Sequence, residues 1–505
     1  MKSKENTIHN IDRSYLLKAT PIFTQGNFTL VLSTVYTLGL FLFWLGASNP
    51  ILKNVLMILV SINLLFTLFQ WFTVRKIKQS LLESGDIYTN LRKYSYILLL
   101  SLLVGNIFIV FFACNFVKED ISVEYVFSYY MIVTQLIVIS LSALNVFKEY
   151  VVDTFPMAMI TLFGLTIVQL VILFIIGRHV KKDVLSKKIL YLFIPLLIIT
   201  LTGNLFALLI MIGLFIKVQP NYNYRTSRWD EIWRIITNSS SAMLGLLFIV
   251  LMFTISIVSL FTFDYAMAVE NNYGAILQNP SLTYPLGTDN FGRDVYSRII
   301  FGAQISLIVG FMSTLIPAFI GGILGAFAGY FSEKTDNMIM RLLDVLYSIP
   351  GFLLAIAIIA AFGANTVNLI IALSVGSIPT YARTMRANVL MVSNYEFVDA
   401  ARSLGSSDME IIFRYIVPNS LSPMIVKATL TIGTAVIATS SLSFLGLGVE
   451  PHIPEWGNIL KVGSTYLETH SYVALFPGAA IVLLVLSFNF FGDALRDALD
   501  PRTAD

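Results

Sequence analysis

Ionisable side chains in the C-terminal half of this 505-residue sequence gather in short polar stretches between long apolar runs. Carboxylates and arginines in such stretches can form ion pairs or dock a partner. Nothing points to a reaction: the sequence has no G-x-x-x-x-G-K-[ST] phosphate loop, no H-E-x-x-H and no G-x-S-x-G. The single cysteine, Cys114, and four scattered histidines offer neither a disulfide nor a metal-ligand cluster. We therefore expect a binding role, with no catalytic residue, metal or cofactor in this chain.

The longest polar stretch, residues 391–423, predicts two short helices joined at Gly405. We call this stretch the elbow. Each of its helices begins with S-x-x-E spacing, the capping box in which two side chains satisfy free backbone donors of the first turn. The pairs are Ser393 with Glu396 and Ser407 with Glu410. Pro418 is expected to end the second helix, because proline lacks an amide hydrogen and clashes with the preceding turn.

Apolar residues follow helical spacing in both helices of the elbow. They are Phe397, Ala401 and Leu404 in the first helix, and Met409, Ile412, Phe413 and Ile416 in the second. The charged residues, which face elsewhere, are Asp399, Arg402, Asp408 and Arg414. The small residues Ala400, Ala401 and Gly405 would let another chain approach closely. This pattern is typical of a docking site for a water-soluble partner, although a loop lying on the bilayer surface has it too.

The composition places the chain in a membrane. Of its residues 56% are hydrophobic and 12% are charged, whereas soluble domains carry about 25% charged residues. The net charge of +3 is small, and basic residues flank apolar segments, which does not suggest a nucleic-acid surface. We expect an all-α, multi-pass protein embedded in the lipid bilayer of the cell membrane.

Apolar segments of about 20 residues, the length of a membrane helix, occur twelve times. They are residues 28–46, 51–74, 95–117, 124–147, 155–177, 189–216, 242–263, 301–331, 339–362, 367–390, 424–446 and 471–491. Twelve spans put both termini on one side, and the basic residues of most loops assign that side to the cytoplasm. The loop 178–188 disagrees, because its five basic residues would lie outside. Either a span is miscounted or this loop breaks the rule.

Three other polar stretches contain candidate structural or gating residues. These are Gly287, Asp289, Gly292, Arg293 and Asp294 in the outer stretch 285–298, Arg341, Asp344 and Pro350 in the stretch 336–350, and Trp456 and Gly457 in the outer stretch 446–460. We expect a local ion network including Arg298 in the first, an internal brace in the second, and Trp456 at the lipid interface in the third. Gly321, Gly325 and Gly329 have the spacing of closely packed membrane helices, within the chain or at a subunit contact.

Together these stretches resemble a known family. The segment FVDAARSLGSSDMEIIFRYIVPN (397–419) is similar to the EAA loop of bacterial ABC importer permeases. The segments PLGTDNFGRDVYSRIIFGAQISL, DNMIMRLLDVLYSIP and SSLSFLGLGVEPHIPEWGNIL resemble companion motifs in the C-type permease subunits of dipeptide, oligopeptide and nickel importers. The resemblance covers residues 226–505, and Asp399 stands where the family has glutamate. We recognise no family in residues 1–220.

The resemblance implies a type I (MetI-like) permease domain of six helices at residues 242–505. A linker at 221–241 and an additional membrane domain of about six helices at 1–220 would precede it. In such importers two different permease subunits, here a second one of B type, act with two P-loop ATPase subunits that use ATP and Mg²⁺ and with an external solute-binding lipoprotein. The elbow would dock on one ATPase through Glu396, Phe397, Asp399, Ala400, Ala401, Arg402, Gly405, Met409, Ile412, Phe413 and Pro418. The solute stays open among peptides, modified peptides, nickel and metallophores.

Two other classes of protein remain as alternatives. A self-contained secondary transporter of twelve spans fits the count, but the halves are unlike and the spans contain almost no ionisable residues, which ion coupling needs. A membrane scaffold or sensor built on residues 1–220 leaves the four C-terminal motifs unexplained.

Overall fold

Helices account for most of the backbone in the computed structural model of this chain, which describes residues 17, 20–46, 50–117, 122–148, 150–180, 185, 187–219 and 227–500. These residues contain no strand, and their only β-type pairing is an isolated bridge between Thr288 and Asp294. The expected all-α fold is confirmed. Lys181, Lys182 and residues 220–226, which include most of the boundary predicted near 220–227, lie outside the described residues.

The chain divides into two compact units that do not follow sequence order. The first unit contains Met1–Val133, Ile172–Ile189 and Gly213–Ser240. The second unit contains Thr134–Val171, Leu190–Ile212 and Ser241–Asp505. Two parts of residues 1–220, which we call the extension, therefore belong to the same unit as residues 241–505.

The described residues before 240 form nine α-helices joined by short 3-10 segments. The helices are α1 (Pro21–Gly46), α2 (Pro50–Ser84), α3 (Tyr94–Leu99), α4 (Ile107–Val117), α5 (Val123–Ala143), α6 (Phe155–His179), α7 (Phe193–Leu201), α8 (Leu205–Val218) and α9 (Arg228–Asn238). The 3-10 segments are Thr89–Lys93, Leu100–Val104, Leu144–Phe147 and Lys187–Leu192. The amphipathic helix α9 begins at Ser227, whose side chain accepts a hydrogen bond from the backbone of Asp230.

The described residues from 240 onward form eleven further α-helices. They are α10 (Ser240–Thr262), α11 (Ala266–Val269), α12 (Val295–Tyr330), α13 (Glu333–Tyr347), α14 (Gly351–Phe362), α15 (Thr366–Val392), α16 (Glu396–Ser403), α17 (Asp408–Glu410), α18 (Val417–Phe444), α19 (Trp456–Ser464) and α20 (Tyr472–Leu499). All twelve predicted membrane segments are thus helical over most of their length.

One predicted span, residues 339–362, is sharply bent. Helices α13 and α14 meet at 77° across a break of three residues that ends at Pro350. Proline fixes its own backbone angle, lacks an amide hydrogen and disfavours helix in the residue before it, so the direction changes there. Counting this pair as one span, up to nine of the described segments are long and apolar enough to cross a membrane.

The predicted span 95–117 is not one continuous helix but turns back on itself. Gly105 makes the turn with a φ of 72°. Asn106 donates a hydrogen bond of 3.0 Å to the side chain of Asn63, and a Cβ on Gly105 would lie 3.2 Å from the hydroxyl of Tyr36. Both partners lie near the middle of the long helices α1 and α2. Because both ends of this segment pack on the C-terminal end of α2, residues 89–117 form a re-entrant hairpin.

The predicted span 189–216 has the same shape. Gly203 makes the turn with a φ of 88°, and a Cβ there would lie 2.7 Å from the carbonyl of Phe253, near the middle of α10. At the other end, the amide of Leu185 donates to the carbonyl of Lys217 across 3.1 Å. The segment therefore enters and leaves on one side as a second re-entrant hairpin.

The two turns share a sequence signal, because G-N-I-F at Gly105 and G-N-L-F at Gly203 are nearly identical. In both, the glycine has positive φ and the following asparagine, Asn106 or Asn204, is fully buried. Irregular backbone at membrane depth is tolerated only where protein surrounds it. The extension thus contains two copies of one arrangement, a pair of long helices followed by a hairpin.

These hairpins correct the path predicted for the extension. Lys217 pairs with Glu124 and Asp230, so α5 begins on the side of α9 and not on the opposite side. Helix α6 then ends on that same side, together with the end of α2. The basic residues of both loops consequently share one side. Those described are Arg75, Lys76, Lys78, Arg92, Lys93, Arg178, Lys187 and Lys188.

In the second unit, helices α12 and α15 pack closely along the glycines predicted for helix packing. A Cβ on Gly321 would lie 2.7 Å from the carbonyl of Ile378, one on Gly329 would lie 2.9 Å from that of Arg386, and one on Gly325 would collide with that of Ala382. Of the two alternatives, packing within the chain is the one the structure shows.

We expect Gly325→Ala to destabilise the protein by about 1–3 kcal/mol, because the added methyl group forces α12 and α15 apart. Gly322→Ala is the matched control, since its Cβ would meet only the methyl of Met424 at 3.6 Å, and alanine is otherwise the better helix former. Thermal unfolding of the two variants in detergent measures the difference. Equal melting temperatures would show that the close packing is not needed for stability.

Candidate functional site

The first half of the elbow is a short helix without the predicted capping box. Helix α16 begins after Tyr395, which makes no side-chain cap, and the hydroxyl of Ser393 donates backwards to the carbonyl of Leu390 at 3.1 Å. The prediction of a capping box formed by Ser393 and Glu396 is therefore wrong. Gly405 ends the helix with a φ of 85°, as expected for a residue that joins two helices.

The second half of the elbow runs into the membrane without a break. Ser407 caps it by accepting from the backbone of Glu410 at 3.4 Å, as predicted for this residue. Helix α17 continues through a π-helical turn, Ile411–Ile416, into α18. Pro418 does not end the helix, so that prediction is wrong. It is the second residue of α18, directly after the π turn, and a proline at the start of an α-helix needs no amide hydrogen bond.

One face of the elbow is locked against the protein itself. Val398, Ala401 and Ile412 are at most 5% exposed and form a cluster with side chains of α12 and α15. The other members of this cluster include Tyr381, Met385, Val389, Val392, Ile411 and Ile416. Ala401 and Ile412 were predicted to contact a partner, but they are buried and belong to the elbow's own support.

The opposite face of the elbow exposes large apolar side chains to water. Leu404 is 86% exposed, Met409 is 52% exposed and Phe413 is 50% exposed. Phe397 is 39% exposed and contacts only the ring of Tyr395 among aromatic neighbours described. We call Phe397, Leu404, Met409 and Phe413 the apolar patch. Glu396, Asp399 and Ala400 are also exposed.

Charged residues surround the apolar patch as exposed local pairs. Arg402 lies 3.2 Å from Asp399, and Arg414 lies 2.9 Å from Glu410. Exposed pairs of this kind contribute little to stability because water and salt screen them, so they are not needed to hold the elbow. They are available to orient a partner at the rim. Asp408 accepts a hydrogen bond of 2.7 Å from the hydroxyl of Tyr330 at the end of α12.

The stretch 336–350 braces α13 against α15, as predicted. Asp336 pairs with Arg386, and Asp344 lies 2.6 Å from Arg383, whose guanidinium stacks 4.1 Å above the ring of Tyr347. Arg341 is exposed on the same helix. Since α15 also supports the elbow, these contacts connect the bent span to the elbow through one helix.

The outer stretch 285–298 is held by a buried ion network. Asp289 accepts from Arg293 at 2.8 Å and lies 3.7 Å from Arg298, which confirms this part of the prediction. Gly287 and Gly292 both have positive φ, 76° and 75°, as turn residues do. Asp294 is not part of this network. It caps α12 by accepting from the amides of Tyr296 and Ser297.

The third stretch is also buried. Trp456 is fully buried and donates from Nε1 to the carbonyl of Ile299 at 3.0 Å, so its predicted place at the lipid interface is wrong. A Cβ on Gly457 would collide with the carbonyl of Ser440. Glu455 caps α19, and burial raises the pKa of its carboxyl group, while hydrogen bonds from Gly457, Ser443, Asn458 and Ser440 oppose that shift.

Two lysines in or beside the extension form buried ion pairs that the sequence argument missed. Lys148 lies 2.6 Å from Asp294, and Lys217 lies 2.7 Å from Glu124 and 3.1 Å from Asp230. Their side chains are at most 3% exposed. Each lysine directly follows an apolar run. A basic residue at such a position is usually interpreted as the flank of a membrane helix, which is why the ion pairs were not predicted.

Comparisons with known proteins match the part of the chain that contains the elbow. Residues 321–505 match the family described as binding-protein-dependent transport system inner membrane component. The glutathione transport system permease protein GsiD of Pectobacterium atrosepticum is 41% identical over 274 residues, which are 54% of this chain and 91% of that protein. The protein of the same name in an Escherichia coli strain is 43% identical over 274 residues, 54% of this chain and 90% of its own.

A solved structure gives a weaker match. A chain of the inward-facing MetNI methionine ABC transporter is 21% identical and covers 40% of this chain and 97% of its own, with a TM-score of 0.34. A score that low does not establish a common fold.

Proposed function

We propose a function from one premise: this chain belongs to the family of binding-protein-dependent transport system inner membrane components and is a permease subunit of an ABC importer. The elbow is its docking site for a cytosolic ATPase. The observation that carries the proposal is the apolar patch. Its four large side chains are 39% to 86% exposed on a helix pair whose other face is fixed. A short amphipathic element of this kind fits a groove on a partner.

The support of the elbow suggests how docking is converted into transport. The elbow is tied to α15 by the buried cluster around Ile412 and is continuous with α18 through the π turn. A displacement at Asp408 is therefore passed to two membrane helices. Work requires that the ATPase contact differ between two states of the importer, which ATP binding and hydrolysis by the partner would supply.

We propose the following assembly around this chain. A second permease subunit of B type completes the solute pathway, two P-loop ATPase subunits bind ATP and Mg²⁺, and an external lipoprotein delivers the solute. Residues 242–505 form the permease domain, residues 221–241 the linker, and residues 1–220 an additional membrane domain. Both termini lie in the cytoplasm, a placement supported by the basic residues of the loops.

We propose a short peptide of the glutathione type as the solute. The support is the identity of 41% to 43% with permeases named for glutathione transport. Nickel and metallophores, the other solutes of the resembling importers, have no such support.

The test is ATP-dependent uptake by the complex in liposomes, made from this chain, its second permease, its ATPases and its binding protein. We expect uptake of labelled glutathione or tripeptide that needs ATP inside and the binding protein outside, with nickel as the negative control. Uptake driven by an ion gradient in the absence of ATPases would overturn the importer function. ATP-dependent uptake of nickel alone would overturn only the solute.

A further inference from the structure

Lys148 places a buried positive charge of the extension against the start of a permease helix. It follows α5 and its 3-10 continuation, and its ammonium group lies 2.6 Å from the Oδ2 atom of Asp294. It also donates to the hydroxyl of Ser297 at 2.8 Å. The side chains of Lys148 and Asp294 are 3% and 0% exposed. The rings of Phe263 and Tyr296 lie 5.5 and 5.9 Å from the ammonium.

The buried carboxylate of Asp294 needs a positive counter-charge. The same carboxylate accepts from the amides of Tyr296 and Ser297 and from the Ser297 hydroxyl at 2.7 Å, so it fixes the first turn of α12. Arg293 and Arg298, the cations nearest in sequence, pair with Asp289. A buried carboxylate that loses its counter-charge destabilises its surroundings strongly. Among the ion pairs of the described residues, Lys148 is the partner of Asp294.

The segment that contains Lys148 is built onto the same helices by polar contacts. The hydroxyl of Tyr296 donates to the carbonyl of Leu141 at 2.8 Å. Asn145 donates to the carbonyl of Thr262 at 2.8 Å, where α10 ends. These contacts lie at the ends of α10 and α12 that border the stretch 285–298.

Apolar packing covers the same seam. Val138 and Leu162 belong to one buried cluster with Ile255, Val258 and Phe301. The extension thus contributes both charge and core to the outer end of the second unit.

The two permeases compared above are shorter than this chain, since 274 residues are 90% to 91% of their length and 54% of its own. Since 274 matched residues are 91% of the first relative, only about 30 of its residues lie outside the match.

We propose that Lys148 is a positioning residue for transport, which holds Asp294 and with it the outer end of α12, so that the extension forms part of the outer gate. The gate is the stretch 285–298 with the first turn of α12. In this arrangement residues 134–171 are not a detachable accessory, because the first turn of α12 depends on their charge. The proposal concerns the opening of the pathway and is independent of which solute passes through it.

The test is a double-mutant cycle in the complete importer, with binding-protein-stimulated ATPase activity and solute uptake measured per assembled complex. Lys148→Met leaves the carboxylate of Asp294 unpaired, and we expect uptake to fall by about tenfold or more. Adding Asp294→Asn removes that charge and keeps the cap, because asparagine caps helices as well as aspartate does. We therefore expect the double variant to regain most of the uptake. Lys187→Met, which removes an exposed lysine of the extension, should leave uptake unchanged.

Each outcome separates this proposal from the function itself. Wild-type complex without ATP-dependent uptake would count against the importer function. Full uptake by Lys148→Met, or a double variant no better than Lys148→Met, would overturn the positioning role. If Lys148→Met fails to assemble, the amount of complex recovered replaces uptake as the readout. Recovery of assembly by the double variant then supports the proposal, and its absence overturns it.

Discussion

Leu404→Glu is expected to abolish docking of the ATPase while leaving the permease folded. Leu404 is the most exposed large apolar residue of the elbow, at 86%, so a charge there disturbs no packing within the chain. A central apolar contact in an interface contributes about 2 kcal/mol or more, roughly 30-fold in affinity. We therefore expect the ATPase to be lost on co-purification and ATP-dependent uptake to disappear.

Two variants make this result specific. Leu404→Met keeps an apolar side chain and should retain the ATPase. Ala401→Glu puts the same charge on the buried face, 5% exposed, and should lower the melting temperature of the permease itself. If Leu404→Glu co-purified with the ATPase at the wild-type ratio, the apolar patch would not be the docking surface.

A cross-link provides direct evidence for the same contact. Cys114 is the only cysteine in the sequence, so Leu404→Cys in a Cys114→Ser background gives a single thiol. A bifunctional reagent should join this thiol to the ATPase and not to the second permease.

Lys217→Met is expected to be the most destabilising change in the extension. The ammonium of Lys217 lies between the carboxylates of Glu124 and Asp230, and all three side chains are at most 2% exposed. Breaking a buried pair by removing one partner costs about 3–5 kcal/mol, and here the buried carboxylate of Glu124 loses the ammonium group that lies 2.7 Å away. We expect a large loss of folded protein in detergent, measured by size-exclusion chromatography and thermal unfolding.

A matched pair of variants tests the cause. Lys78→Met removes an exposed lysine of α2 and should unfold like the wild type. Adding Glu124→Gln to Lys217→Met removes the carboxylate charge that faced the lysine and should restore part of the stability. A double variant no more stable than Lys217→Met would mean that the packing of the lysine stem, and not its charge, is what the extension needs.

The sequence was sufficient to locate the elbow but not to say which of its faces is exposed. Glycine at 405 and serine at 407 determine the local backbone through conformational freedom and capping, which act over a few residues. Helical spacing predicts that one face is apolar, but Val398 and Ala401 turn inward while Leu404 turns outward. That choice depends on α12 and α15, which are far away in sequence.

The path of the extension could not be obtained from hydropathy for a similar reason. A hairpin of two short apolar limbs has the same length and composition as one crossing. Tertiary contacts, such as those of Asn106 and of Leu185, distinguish the two. The repeated G-N-[IL]-F was the available sequence signal for the two hairpins. Its role becomes clear from the structure, where both glycines turn the chain. Pro418 was predicted to end the helix, but the residues before it form a π turn. At the start of α18 its missing amide hydrogen creates no conflict.

The re-entrant hairpins affect the orientation in which the later segments of this chain are inserted into the membrane. Within the described residues, the extension crosses four times, at α1, α2, α5 and α6, because each hairpin returns to the side from which it came. Four is even, so the permease begins on the side where the extension began. Losing or gaining a hairpin keeps that parity, and so does duplicating the whole arrangement. Losing a single crossing helix would invert the membrane topology of every later segment.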